Sequence, residues 1–453
     1  MVTVDGGHVG SARAAGTRVH GVDIDGVDVD AIDLSNLDWW ERPLAEREAG
    51  FAALRAKRPI ARMDLPEMPL MGVPASHYWA LTRHADVVEA SRQPKLFCSG
   101  QGTQILDMPV PFLEFFGSMI NMDDPRHARL RRIVSRGFTP RQLELLRADV
   151  EGVAAGIVDE VAERGECDFV TEVAARLPLR VIVDLMGIPR SEEQFIFDRT
   201  NVILGFMDPE YVDPGDDPEA PTPYVTAILS AGQDLATMVS ELAEDRIAHP
   251  RDDLVTALVT SEVDGEHLSP QELASFFILL VVAGNETTRN AIAHGLWALT
   301  QFPDQKQRWL DDIDGVTPTA VEEIVRWSTP VIHFRRTVTE DGVRLGDHEF
   351  SAGEKVVLWY TSANRDEAVF PDPHRFDVTR TPNEHVGFGG PGPHYCLGAH
   401  LARREIAVMF GELLRRLPDI HAVGEPDRLR SNFINGIKHL RAEWTPVPAR
   451  SDS

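Results

Sequence analysis

The chain has 453 residues and a formal net charge of −26, a balance that sets it against nucleic acid and favours solubility. Its three cysteines, Cys98, Cys167 and Cys396, are far apart with no C-x-x-C pair, which leaves no clustered cysteine site for zinc and suggests a reducing compartment. Residues 1–20 lack the apolar stretch of a signal peptide, and the longest apolar run, residues 276–283, is far short of the ~18 residues that span a bilayer; a soluble cytoplasmic protein is expected.

Residues 1–36 are rich in glycine and aspartate and alternate with a period of two over residues 22–30. That period permits a short strand, but no apolar face is wide enough for a domain. A calcium loop fits poorly: the glycine is misplaced for an EF-hand, and no glutamate stands at the twelfth position. The segment is expected to be a mostly flexible tail. Residues 37–453 are expected to form a single domain, since no linker divides them despite the prior of about 150 residues per domain.

From Trp39 onward the pattern is mainly helical. Residues 126–141, RHARLRRIVSRGFTPR, hold six arginines and no acid. Three readings stand: a solvated helix face, a site for cofactor carboxylates, or a docking face for an acidic protein. Residues 207–224 hold five prolines and six acids, and read as a surface loop or a mobile lid rather than a packed helix. The clearest helix starts at Ser269-Pro-Gln-Glu272, a capping box with proline in the first turn, and stops at Pro303. Its roughly 32 residues make it about 48 Å long, and its centre, apolar all round, is expected to be buried. A further helix is expected after Pro318, ending before Pro330. Residues 336–339, 343–345 and 355–360 read as short strands. The last long helix follows Cys396, with Ala399, Ala402, Ile406, Met409, Phe410, Leu413 and Leu417 at spacings of three and four.

Two motifs carry chemistry. The first is the run from His385 to Gly398, in which Cys396 ends a loop crowded with glycine and proline. A lone cysteine is most often a small buried hydrophobe, but a core residue needs no such loop. Glycines let the backbone approach a flat, bulky group, and the N-terminus of the following helix favours a thiolate. A thiolate on a tight loop is what haem iron takes as an axial ligand. The second motif is Ala283-Gly-Asn-Glu-Thr-Thr288, a carboxylate, two hydroxyls and a glycine in a buried helix. Gly284 weakens the helix by up to ~1 kcal/mol, and an unpaired buried carboxylate costs more. Either a satisfied polar network or a functional site accounts for them.

The Cys396 segment resembles the haem-binding loop of the cytochrome P450 family: an aromatic residue, several glycines, His394 two before the cysteine, then Cys-Leu-Gly. Phe388 stands eight residues before Cys396, one more than in the common form, a length shared by some bacterial lipid- and steroid-oxidising members. The resemblance covers nearly the whole chain after residue 37. It implies a mainly α fold with a small β region, in which a helical domain encloses haem b.

In that family the matching positions make Cys396 the iron ligand, with Phe388 beside it and His127, Arg131, Arg336 and His394 at the haem propionates; Arg335 is the rival of Arg336. Gly284 would widen a groove over the haem. Glu286 and Thr287 would deliver protons to bound dioxygen. Glu323, Arg326 and Arg375 would form a buried structural triad. With no flavin or dinucleotide fingerprint, electrons are expected from a ferredoxin and its reductase, docking on Arg129, Arg132, Arg136, Arg403 and Arg404. The chain looks like actinobacterial enzymes that hydroxylate the terminal carbon of methyl-branched lipids, with steroid side-chain oxidisers as near relatives. Ile105, Leu106, Phe112, Phe115, Val282, Ala283, Val331, Ile332, Phe334, Phe433 and Ile434 either line an apolar substrate pocket or belong to the core. A haem sensor or lipid carrier is the rival from another class, disfavoured by the Glu286–Thr287 pair; a peroxide-driven hydroxylase would favour a basic residue there.

Overall fold

The computed structural model describes residues 18–67, 74–136, 140–213, 222–261 and 267–450. Helices dominate, and the longest organises the rest. It runs Pro270–Gln301, 32 residues, as its pattern predicts. Ser269 starts it: the hydroxyl accepts from the Glu272 N–H at 3.1 Å, and the Glu272 carboxylate accepts from the Ser269 N–H at 2.9 Å, so two otherwise orphaned donors are satisfied reciprocally. Its middle is buried through Phe276, Phe277, Ile278, Val281, Ala291 and Ile292. Helices Arg176–Met186, Thr222–Ala248, Ile313–Ser328 and Ala399–Arg416 pack around it. At about 1.5–3 kcal/mol per fully buried large apolar side chain, this axis is the main source of cohesion.

A five-stranded sheet stands to one side, in the order Ile60–Leu65, Ser76–Leu81, Lys355–Trp359, His333–Val338, Phe97–Cys98. Ser76–Leu81 and Lys355–Trp359 run parallel, with Val356 opposite Trp79; the other pairings are antiparallel. One apolar cluster against the sheet gathers Trp40, Phe51, Tyr78 and Trp359. Another holds Val87, Phe97, Phe350 and Leu358. Side chains alternate across a sheet, so neighbouring Arg335 and Arg336 leave it by opposite faces.

Four expectations change. Residues 18–36, read as part of a flexible tail, are folded: Arg18–Val19 and Val22–Asp23 form a hairpin, two short 3-10 turns follow, and Val19, Ile24, Ile32 and Leu34 are buried. Aspartates 23 and 28 cap those turns by accepting from the N–H two residues on, so beyond the two-residue strand Val22–Asp23 the alternation encodes caps. Residues 1–17 lie outside the described residues. The helix expected after Pro318 begins at Ile313, because Asp312 caps it by accepting from the Gly315 N–H at 2.9 Å. The first expected strand is longer, His333–Val338. Of the 207–224 segment, residues 214–221 lie outside the described residues, and from Thr222 the chain is already helical.

Candidate functional site

The Cys396 loop is a tight hairpin closed by the Cys396 N–H donating to the Phe388 carbonyl at 3.0 Å. It needs glycine where it crosses Ser91: a Cβ at Gly390 would stand 2.3 Å from Ser91 Oγ, and one at Gly392, whose φ is +154°, 2.4 Å from the Ser91 carbonyl. Cys396 is exposed, whereas Cys98 and Cys167 are buried. Burial among neighbouring groups pushes the Cys396 thiol up, against the opposing pull of the Gly398 N–H, Arg131 and Arg403. The helix terminus expected to favour the thiolate therefore does not prevail alone; a coordinated metal deprotonates a thiol outright.

Behind the loop, Glu322 binds the Arg403 guanidinium at 2.5 and 3.0 Å and the His385 ring at 2.9 Å. Burial opposes ionisation of Glu322, but these partners hold it at about 2. Arg403 also lies over the Phe388 ring, 4.4 Å from its centroid.

Beside the loop the structure gathers the four side chains expected at the propionates. His127 is buried, its ring 4.3 Å from that of His394. Arg131 donates to the Tyr395 carbonyl at 2.7 Å, and Arg336 lines the same hollow as His394, Gly389 and Tyr360. Arg335, its rival, leaves by the other face to Asp107 Oδ1 at 2.6 Å. Burial first, then Arg336, His127 and Arg131, lower His394 to about 2. The buried His127 Nε2 has no hydrogen-bond partner, and its Nδ1 faces Asp124 at 3.5 Å. His127 and Arg131 border an open cleft of about 530 Å³ with Gly392 and Pro393. Two guanidiniums and two imidazoles, one of them with an orphaned ring nitrogen, beside a cysteine on a glycine cradle, fit the propionates and iron of a haem.

Across the interior runs the polar motif of the long helix. Thr287 donates to the Ala283 carbonyl at 2.7 Å, and Ala283 is exposed. Glu286 is buried and paired with Arg289 one turn on, while Asn290 donates to it at 3.3 Å. Arg289 is anchored in turn on Asn201 at 2.9 Å. Burial raises the Glu286 carboxyl despite Arg289, and its second oxygen has no partner, as is also true of both Asn285 side-chain atoms. Sequence reasoning passed over Arg289, although its i, i+3 spacing from Glu286 was a readable signal. Gly284 is also a close approach between helices: a Cβ there would stand 2.3 Å from Ile182 Cδ1 on the helix Arg176–Met186. A second buried carboxyl, Glu405, is raised to about 8 by burial, a Thr288 hydrogen bond opposing.

Two groups of site expectations are corrected. Glu323 and Arg326 are paired and fully buried at 2.7 Å, but Arg375 is not the third member. Its guanidinium is exposed on Asp304 at 3.0 Å, and it offers the cluster only its carbonyl. Arg380 takes the place, its Nε 3.1 Å from Glu323 Oε2. Ile105 and Ile332 are buried in the sheet-side core with Trp40 and Trp359, and Ile434 is buried where it bridges Val331. Leu106, Phe112, Phe115, Val282, Val331, Phe334 and Phe433 keep partial exposure. The docking arginines are engaged too: Arg129 with Glu272, Arg403 with Glu322, Arg404 with Glu151.

Comparison with known proteins agrees with this geometry. The family model described as Cytochrome P450 matches residues 115–437. A methyl-branched lipid omega-hydroxylase of Mycobacterium tuberculosis is 49% identical over 413 residues, 90% of this chain and 94% of the relative. A steroid C26-monooxygenase of Mycolicibacterium smegmatis is 41% identical over 399 residues, 87% of this chain and 90% of the relative. Among solved structures, a Mycobacterium marinum cytochrome P450 in complex with pseudoionone superposes with a TM-score of 0.84 at 42% identity, covering 92% of this chain and 99% of that one.

Proposed function

This chain belongs to the cytochrome P450 family of monooxygenases, and from that premise we propose that it hydroxylates the terminal carbon of a methyl-branched lipid. The observation that carries the site assignment is the grouping of Arg131 and Arg336 with the His127 and His394 imidazoles beside Cys396, with the His127 Nε2 left unpartnered. Cys396 would hold the iron of haem b there, with Arg131, Arg336, His127 and His394 at the propionates, and the bound group would supply the activation of dioxygen.

The remaining work falls to side chains. Thr287 stands on the interior face of the long helix, its hydroxyl held by the Ala283 carbonyl and able to turn and donate toward a bound oxidant. Glu286 is the proton reservoir behind it. Its raised carboxyl holds a proton more readily than a surface glutamate, and Arg289 and Asn290 fix one oxygen while the other has no partner. Leu106, Phe112, Val282, Ala283, Val331, Phe334 and Phe433 form the apolar lining that orients a hydrocarbon and excludes water; Phe334 and Phe433 lie 5.6 Å apart, centroid to centroid. Oxidising a terminal methyl rather than weaker internal C–H bonds requires that such a lining admit only the chain end.

Electrons come from a ferredoxin served by its reductase. The ion pair of Arg404, 35% exposed, with Glu151, 56% exposed, is worth at most about 1 kcal/mol, so an acidic partner can displace the glutamate. Arg403, clamped on Glu322, belongs to the loop instead. Cytoplasmic residence fits three free cysteines, and no helix among the described residues is long and apolar enough to cross a membrane.

The test is a panel of optical titrations with branched fatty acids, isoprenoid alcohols and sterols, followed by product analysis with ferredoxin and reductase. Tightest binding and terminal hydroxylation of the branched lipids support the reading. Preference for sterols selects the side-chain alternative, favoured by the steroid C26-monooxygenase relatives.

A further inference from the structure

Three side chains from distant parts of the chain meet at a second place. His20 lies at the tip of the N-terminal hairpin, Glu48 on the helix Leu44–Lys57 and His374 in the loop that also carries Arg375. His20 Nε2 is 2.5 Å and His374 Nδ1 2.8 Å from the same oxygen, Glu48 Oε2. All three atoms lie within 4.8 Å of one another, and the two imidazole rings meet edge to face with centroids 5.1 Å apart.

Two imidazoles and a carboxylate aimed at one point are more than a hydrogen-bonded pair requires. Glu48 and His374 are largely buried, with 11% and 15% of their side chains exposed, while His20 at 35% closes the solvent side. The hairpin presents His20 from a left-handed backbone, φ +48°, followed by Gly21 at +83°. For a residue with a side chain that conformation is uncommon, and the surrounding structure must hold it. Arg365 Nε stands 3.5 Å from Glu48 Oε1, leaving Oε2 to the histidines in the way an outer partner orients a ligating carboxylate.

We propose that His20, Glu48 and His374 bind a divalent transition cation, zinc foremost, which fastens the N-terminal hairpin to the body of the protein. Mixed imidazole and carboxylate ligands suit zinc; magnesium and calcium take all-oxygen sets. Zinc bonds of about 2.0–2.2 Å in a tetrahedron place ligand atoms roughly 3.3 Å apart, so the contacts must open by less than about 1 Å. Water fills the fourth position. The second cluster of metal-ligand types, Glu210, Asp427 and His439, is exposed and already holds a cation, since Lys438 Nζ lies 2.8 Å from Glu210 and 3.7 Å from Asp427.

The experiment is zinc binding to the full-length haem-loaded protein after chelator treatment, by equilibrium dialysis and calorimetry, with cobalt(II) absorption as a probe of ligand geometry. One zinc per chain with micromolar or tighter affinity, weakened more than about a hundredfold in both His20→Ala and His374→Ala, supports the site. The variants must keep the haem spectrum of the parent; should His374→Ala misfold, His20→Ala at the protein's edge decides. Absence of stoichiometric zinc binding, or binding unchanged in His20→Ala, overturns it.

Discussion

Arg380 and Glu323 form the outer edge of a buried charge cluster: Arg380 Nε lies 3.1 Å from Glu323 Oε2, while Arg326 grips both oxygens from one turn along the same helix. Glu323 also accepts from the Asp377 N–H and from Asn383 Nδ2. Through these bonds it ties the helix Ile313–Ser328 to the segment leading into the Cys396 loop. Removing one partner of such a cluster leaves charge uncompensated and costs about 3–5 kcal/mol. Arg380→Ala is therefore expected to lower the urea midpoint sharply and to lose haem. Arg375→Ala, which breaks only an exposed pair, is expected to cost less than about 1 kcal/mol. Urea titration of both variants checks the contrast.

Gly284 is a contact point between helices. Gly284→Ala is expected to destabilise by about 1–3 kcal/mol, the usual range for overpacking, since its Cβ would overlap Ile182 Cδ1. Adding Ile182→Ala should recover part of that loss. A double-mutant cycle by thermal denaturation reads the coupling; strictly additive effects would place the strain elsewhere.

Thr287→Ala removes the hydroxyl on the interior face while leaving Glu286 and Arg289 paired. Electron use is expected to continue as product formation falls roughly a hundredfold, the low side of a proton-transfer contribution. The balance should appear as hydrogen peroxide. Measuring substrate, NADPH and peroxide together gives the coupling ratio, and an unchanged ratio removes Thr287 from its role.

Glu405 gives a pH dependence with a defined sign. Its folded value, about 8, is raised above the ordinary carboxylate range near 4.3, so the native state favours the protonated form. Its contribution is fully present below the unfolded value and is lost as pH rises toward about 8, at no more than roughly 1.4 kcal/mol per unit. Glu405→Gln is expected to flatten that fall. The difference in urea midpoint between parent and variant from pH 5 to 9 tests it.

Electron transfer from an acidic ferredoxin is expected to slow steeply between low and physiological salt, as steered associations do. Arg404→Glu should reduce the rate and its salt slope. Stopped-flow reduction at several ionic strengths measures both, and a salt-independent rate would count against this face.

Local features of the chain were legible. The capping box at Ser269, the glycine-rich run before Cys396 and the helix after it depend on neighbours within a few residues, and the structure keeps them. Features that needed a third dimension were not. Arg375 and Arg380 both follow Pro373 closely, and only the path of that loop decides which guanidinium turns inward. Arg335 and Arg336 were indistinguishable until strand register sent them to opposite faces. Ile105 and Ile332 are as apolar as Phe433, but the tryptophans at 40 and 359 enclose them. Aspartates 23 and 28 read as flexible acidic sequence because the turns that they cap are three residues long, too short to show an apolar period.

The parallel pairing of Val356 with Trp79 also orders events in time. A nascent chain cannot complete the central sheet until the ribosome has passed Trp359, and Cys396 follows soon after. The first strands must wait, edges unpaired, while nearly all the helices are synthesised. Long-range closure of this kind is slow, so cofactor capture belongs to the last stage of biogenesis, and a ribosome stalled before the sheet closes would release a helical intermediate unable to take up haem.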